Sequence, residues 1–122
     1  MAGGLVHFEI PAAEWERAKS FWGSLLGWQF SAWGGDVQYA LAQPAEGPGG
    51  GLYPTEASER GLKVYFGVDD IHAALARVRE LGGTVEVSAS PIPGTGWCGM
   101  CIDTEGNSFG LFQHDESVSS PS

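Results

Sequence analysis

His7-Phe8-Glu9-Ile10-Pro11-Ala12-Ala13-Glu14-Trp15-Glu16-Arg17-Ala18-Lys19-Ser20-Phe21-Trp22-Gly23-Ser24-Leu25-Leu26-Gly27 decides the fold, because the chain uses its pattern twice. The stretch reads as an apolar strand, an amphipathic helix and a stopping glycine. The same punctuation returns 56 residues later, over residues 63–83. His7 falls on Lys63, Glu14 on Asp70, Trp15 on Ile71, Ala18 on Ala74, Trp22 on Val78, Leu25 on Leu81 and Gly27 on Gly83. One strand–helix unit buries little apolar surface by itself, so a repeat of this period points to two like modules.

Trp15, Ala18, Phe21, Trp22, Leu25 and Leu26 recur at three- and four-residue spacing, which predicts a helix over 14–26 with these side chains on its buried stripe. Gly27 suits its C-terminal end. A strand over 5–10 precedes it, and Pro11, lacking an N–H, helps to end that strand. Strands over 28–33 and 37–42 follow around the turn Gly34-Gly35-Asp36. Residues 43–50 form a loop whose glycines lack the Lys and Ser or Thr of a phosphate loop. A short strand over 51–54 and a polar linker over 55–61 complete the first half.

The second half opens with a strand over 62–68. A helix capped by Asp69 or Asp70 runs to Leu81, burying Ile71, Ala74, Leu75, Val78 and Leu81. Then come a strand over 84–89, a Pro- and Gly-rich loop over 91–96 of the kind that covers pockets, and a hairpin of 97–103 with 108–113. The order is βαβββ, twice. This is an α+β fold in which two modules, 5–54 and 62–113, form a curved mixed sheet around a cleft within one domain, 1–114. The Ser-rich, acidic residues 115–122 are expected to be a disordered tail.

Six basic residues against fifteen acidic ones give a net charge of −9. That argues against nucleic acid, whose phosphates demand Lys and Arg, and suits a neutral or cationic small ligand. No apolar run approaches the roughly 20 residues that cross a membrane. The first residues lack the basic and apolar pattern of a secretory signal, so a cytoplasmic protein is expected. Cys98 and Cys101 lie three apart on a predicted strand and point to opposite faces, so they read as structural thiols and not as a bridge.

His7-Phe8-Glu9-Ile10, Arg17-Ala18-Lys19-Ser20-Phe21-Trp22, Leu26-Gly27-Trp28, Val68-Asp69-Asp70, Leu81-Gly82-Gly83 and Asp103-Thr104-Glu105-Gly106-Asn107 occur in an order and spacing that resembles the vicinal oxygen chelate superfamily. That group includes glyoxalases, extradiol dioxygenases, fosfomycin-modifying enzymes and bleomycin-resistance proteins. The resemblance implies a divalent metal held at four places, on the first and last strands of each module. Here those places read His7, Gly51, Lys63 and Gly110. Glycine has no side chain to ligate, and a protonated Lys repels a cation. A slip of register does not help, since neither 62–68 nor 109–112 contains a His, Glu, Asp or Gln. Glu9, in phase with His7, adds a second donor, still short of the three protein ligands of a catalytic site. The expectation is therefore no metal and no cofactor.

The two glycines are expected to leave room that aromatic residues line. Strand alternation sets Tyr53 in phase with Gly51, Tyr65 with Lys63 and Phe112 with Gly110. Tyr39 and Trp97 sit on neighbouring strands with their phase open. The predicted ligand-binding set is His7, Glu9, Tyr39, Gly51, Tyr53, Lys63, Tyr65, Trp97, Gly110 and Phe112. As the resemblance to bleomycin-resistance proteins implies, the expected function is binding of a small aromatic or cationic metabolite or drug in an apolar cleft. Two alternatives stand beside it: a metal-dependent lyase, isomerase or dioxygenase with atypical ligands, and a metal-free acid–base enzyme using His7, Glu9 or Lys63. The resemblance also implies a homodimer.

Overall fold

The structure, a computed structural model, describes residues 2–32, 39–55 and 61–119. The turn 34–36, the strand ends next to it, most of the predicted linker and residues 120–122 lie outside the described residues. The elements run β1 (Leu5–Ala12), α1 (Trp15–Leu26), β2 (Gln29–Ala32), β3 (Ala40–Gln43), β4 (Gly50–Pro54), β5 (Lys63–Gly67), α2 (Ile71–Glu80), β6 (Thr84–Ile92), β7 (Gly96–Ile102) and β8 (Ser108–His114). This is the α+β class, with βαβββ used twice. The chain divides into two units, His7–Lys63 and Met1–Val6 with Val64–Ser122.

In the first unit the strand order is β2-β3-β4-β1. β1 and β4 run parallel, with Phe8 opposite Gly50, Glu9 opposite Gly51 and Ile10 opposite Leu52. β3 is antiparallel to both β2 and β4. Helix α1 covers one face, over a core of Ile10, Ala40 and Leu52 packed against Phe8, Trp15, Ala18, Trp22, Trp28 and Phe30. The Trp22 and Trp28 indoles stack at 5.2 Å and 8°, and Phe8 meets Trp28 at 5.1 Å. So many rings fit because the sheet beneath is built from small residues. Ala40 and Ala42 are buried, and a Cβ on Gly50 would overlap the Phe8 ring.

Two expectations for this unit need correction. Pro11 does not end β1: the strand runs on to Ala12 with Pro11 opposite Tyr53, because a proline φ suits extended backbone. The apolar stripe of α1 is also narrower than its spacing suggests. Phe21, Leu25 and Leu26 are 59%, 63% and 51% exposed, since the stacked indoles already cover the sheet; Phe21 rests edge-on against Trp22 at 5.3 Å. Gly27 closes the helix with φ 73°, its N–H on the Gly23 carbonyl at 2.9 Å.

In the second unit the order is β5-β8-β7-β6, with β5 and β8 parallel and the other pairs antiparallel. Ile71, Leu75, Cys101 and Leu111 form its core between α2 and the sheet, joined by Phe66, Val78, Phe109 and Trp97. Leu81, expected in this stripe, stands just past the last turn of α2 and is exposed. Asp70, not Asp69, caps α2, accepting the Ala73 N–H at 3.1 Å. A second cap comes from β8, where Gln113 Oε1 accepts the Ile71 N–H at 2.9 Å. β6 extends to Ile92 through two register shifts, so only residues 93–95 remain as a turn. That turn is tied to the C-terminal segment: the Gly94 N–H reaches the Val118 carbonyl at 2.8 Å, and the Asp115 N–H reaches the Thr95 carbonyl at 2.9 Å.

Candidate functional site

Strand alternation decides which side chains face away from each helix. In the first unit Phe8, Ile10 and Leu52 point to α1. His7 and Glu9 on β1, and Gly51 and Tyr53 on β4, therefore lie on the open face. Tyr39, just before β3, joins them. Its hydroxyl donates to Glu9 Oε2 at 3.0 Å and sits 2.8 Å from His7 Nε2. The His7 and Tyr39 rings are nearly parallel, 13° apart.

The Tyr39 ring lies on Gly51, where a Cβ would overlap it. The glycine thus leaves no hollow, which corrects the expectation of opened space: the missing side chain makes room for a ring. Burial pushes the His7 pKa below its ordinary value, with Glu9 pulling the other way. Burial also raises the Tyr39 pKa, reinforced by the charge of Glu9 and its hydrogen bond, so the phenol stays protonated. Farther along the same face, Lys63 Nζ stands 5.3 Å from the Tyr53 ring centre, a cation–π contact.

The second unit repeats the pattern with different residues. Tyr65 on β5 is opposite Gly110 on β8, and a Cβ on Gly110 would overlap the Tyr65 ring. Phe112 shares this open face, opposite Cys98 on β7. Trp97 does not. It packs into the core under α2 and meets the His72 ring at 6.0 Å. A shallow cavity of about 200 Å³ in this unit, lined by Val6, Gly67, Val68, Asp69, Phe112, Gln113 and His114, holds only Phe112 of the predicted set. Cys101 is fully buried, and burial raises its thiol pKa.

The residues present do not fit a divalent ion. Gly51 and Gly110 offer no donor, and tyrosine rings cover them. The Nε2 of His7 is engaged with Tyr39. Among the described residues no three His, Cys, Asp or Glu side chains come close enough to share an ion.

This arrangement of strands, helices and glycines matches known proteins. The model of the glyoxalase-like domain family fits residues 6–112. The chain belongs to the glyoxalase-like domain family. A glyoxylase-like domain-containing protein of Didymella fabae is 32% identical over 90 residues, covering 66% of this chain and 70% of that protein. A glyoxalase/bleomycin resistance protein/dioxygenase superfamily member from Vibrio splendidus is 18% identical with a TM-score of 0.70, covering 91% of this chain and 98% of that one. Methylmalonyl-CoA epimerase from Mycobacterium tuberculosis is 20% identical with a TM-score of 0.69, covering 98% and 90%. The Mn(II)-bound glyoxalase of Novosphingobium aromaticivorans is 16% identical with a TM-score of 0.69, covering 99% of this chain and 42% of that one. At such identities the three structures establish the fold of this glyoxalase-like domain and not its chemistry.

Sequence reasoning named every residue of the His7–Tyr39–Glu9 cluster but not their connection. The signal that was missed is the ladder placing Glu9 opposite Gly51. It shows that a ring, if one came, would lie beside a carboxylate.

Proposed function

We propose that this glyoxalase-like domain binds a small aromatic or cationic molecule on the open face of its first unit, without a metal. One observation carries the reading: at both last-strand places where the superfamily resemblance implies a metal ligand, Gly51 and Gly110, a tyrosine ring lies over the glycine. A position rebuilt as an aromatic surface favours stacking over ligation. Tyr53 supports the cationic part, since its ring face already receives the Lys63 ammonium at 5.3 Å. Glu9 and the net charge of −9 act in the same direction. The reading includes a homodimer in the cytoplasm.

Calorimetric titration with benzyltrimethylammonium, paired with elemental analysis after incubation with divalent ions, tests it. Saturable binding that weakens at least about tenfold in Tyr53→Ala is expected, a loss of about 1.4 kcal/mol. Stoichiometric metal uptake refutes the proposal.

A further inference from the structure

We propose that the cavity of about 200 Å³ in the second unit binds a small apolar molecule carrying a primary ammonium group, with the Asp69 carboxylate accepting from its N–H donors. The site shares no residue with the open face of the first unit and does not rest on the binding reading above.

Asp69 and Asp70 follow β5 side by side, and Asp70 serves as the cap of α2, accepting the Ala73 N–H at 3.1 Å. Asp69 makes no hydrogen bond or ion pair among the described residues and lines the cavity instead. The 56-residue repeat sets Asp70 on Glu14 but Asp69 on Ala13, so the first unit has no carboxylate at this place. A charged residue that the fold does not use, held at a cavity by the loop between a strand and a helix, is placed as binding residues are.

The rest of the wall asks for an apolar body. Val6, Val68 and Phe112 supply hydrocarbon, and Gly67 supplies backbone alone. That backbone is already paired. The Gly67 N–H donates to the Gly4 carbonyl at 2.8 Å, the Gly67 carbonyl accepts from the Gly3 N–H at 2.7 Å, and the Val68 N–H donates to the Phe112 carbonyl at 2.8 Å. The volume exceeds the roughly 150 Å³ that suffices for benzene, so a single ring with a short arm fits. The sign of the charge follows from what stands at the helix end. A helix N-terminus ordinarily favours an anion. Here Gln113 Oε1 takes the Ile71 N–H at 2.9 Å and Asp70 takes the Ala73 N–H, so both donors are spent. On the rim, His114 Nε2 lies 3.5 Å from Glu116, which offsets any positive charge on the imidazole. An anion therefore meets repulsion from Asp69, whereas an ammonium finds a charge-assisted acceptor. A quaternary cation has no N–H to give.

Titration of the full chain with benzylamine, followed by nitrogen–proton NMR, tests the site. We expect saturable shifts at the Gly67, Val68 and Asp69 amides with a Kd of about 1 mM. Benzyl alcohol, neutral and of nearly the same shape, should bind about fivefold more weakly or worse, and Asp69→Asn should weaken benzylamine by the same factor. Phenylacetate and benzyltrimethylammonium should leave these amides unmoved, the first for its charge and the second for want of an N–H. Absence of saturable shifts at these amides overturns the proposal. So does benzyl alcohol, phenylacetate or benzyltrimethylammonium binding there as tightly as benzylamine, or an affinity unchanged in Asp69→Asn. Should that variant fail to fold, the comparison of benzylamine with benzyl alcohol on the unaltered chain decides by itself.

Discussion

Glu9 stands directly opposite Gly51 in the parallel ladder of β1 and β4. The matching pair in the second unit is Tyr65 opposite Gly110, in the ladder of β5 and β8, and the 56-residue repeat sets Glu9 on Tyr65. In both units the last-strand residue has no side chain and a phenol ring fills its place. The rings arrive by different routes. Tyr65 comes from the facing strand itself, while in the first unit a carboxylate holds that place and Tyr39 comes from the approach to β3. In the first unit the phenol joins an acid and an imidazole.

Gly51→Ala places a methyl group in the Tyr39 ring, and Gly110→Ala does the same to Tyr65. Each should cost about 1–3 kcal/mol by overpacking. Combining Gly51→Ala with Tyr39→Ala should cost less than the sum of the singles by at least about 0.5 kcal/mol. Urea unfolding of the four proteins measures this, and strict additivity would show that ring and glycine do not touch.

The lowered pKa of His7 makes stability depend on pH in a defined window. The unfolded chain binds a proton near the ordinary value of 6.5, and the folded chain does so only at lower pH. Between these values the unfolded state holds more protons, so stability rises with pH there and is level above it. Urea midpoints of wild type and His7→Gln across that window should diverge below pH 6.5, with the wild type falling the more steeply.

Leu52 and Ile71 are fully buried at the centres of the two cores. Leu52→Ala and Ile71→Ala should each cost about 2–5 kcal/mol. Leu25→Ala and Leu81→Ala, at positions of the same sequence spacing but exposed, should stay within about 0.5 kcal/mol. Thermal denaturation separates the two groups; a large loss at Leu25 would mean that something covers this helix end.

Asp69 and Asp70 look alike as caps for α2, and only Asp70 makes the bond, to the Ala73 N–H. Asp70→Ala should cost about 1 kcal/mol, while Asp69→Ala should change stability by less than about 0.5 kcal/mol. Equal losses would contradict the cap.

Element type and order were determined by the sequence alone, because period and punctuation are local properties. The 3.6-residue spacing of Trp15, Ala18 and Trp22, the repeat of that spacing at Ile71, Ala74 and Val78, and the glycine after each helix needed no neighbours to be read. So did the absence of donor side chains at Gly51 and Gly110, which is a matter of composition. What the glycines hold was decided by tertiary structure. A missing side chain reads equally as a hollow or as a seat for another residue, and only the pairing of β3 with β4, in which Leu41 faces Gly51, puts Tyr39 there. Long-range packing turned Trp97 under its helix and joined His7, Tyr39 and Glu9 into one hydrogen-bonded chain, since the phase of a strand against its partners is set by contacts that no single stretch contains.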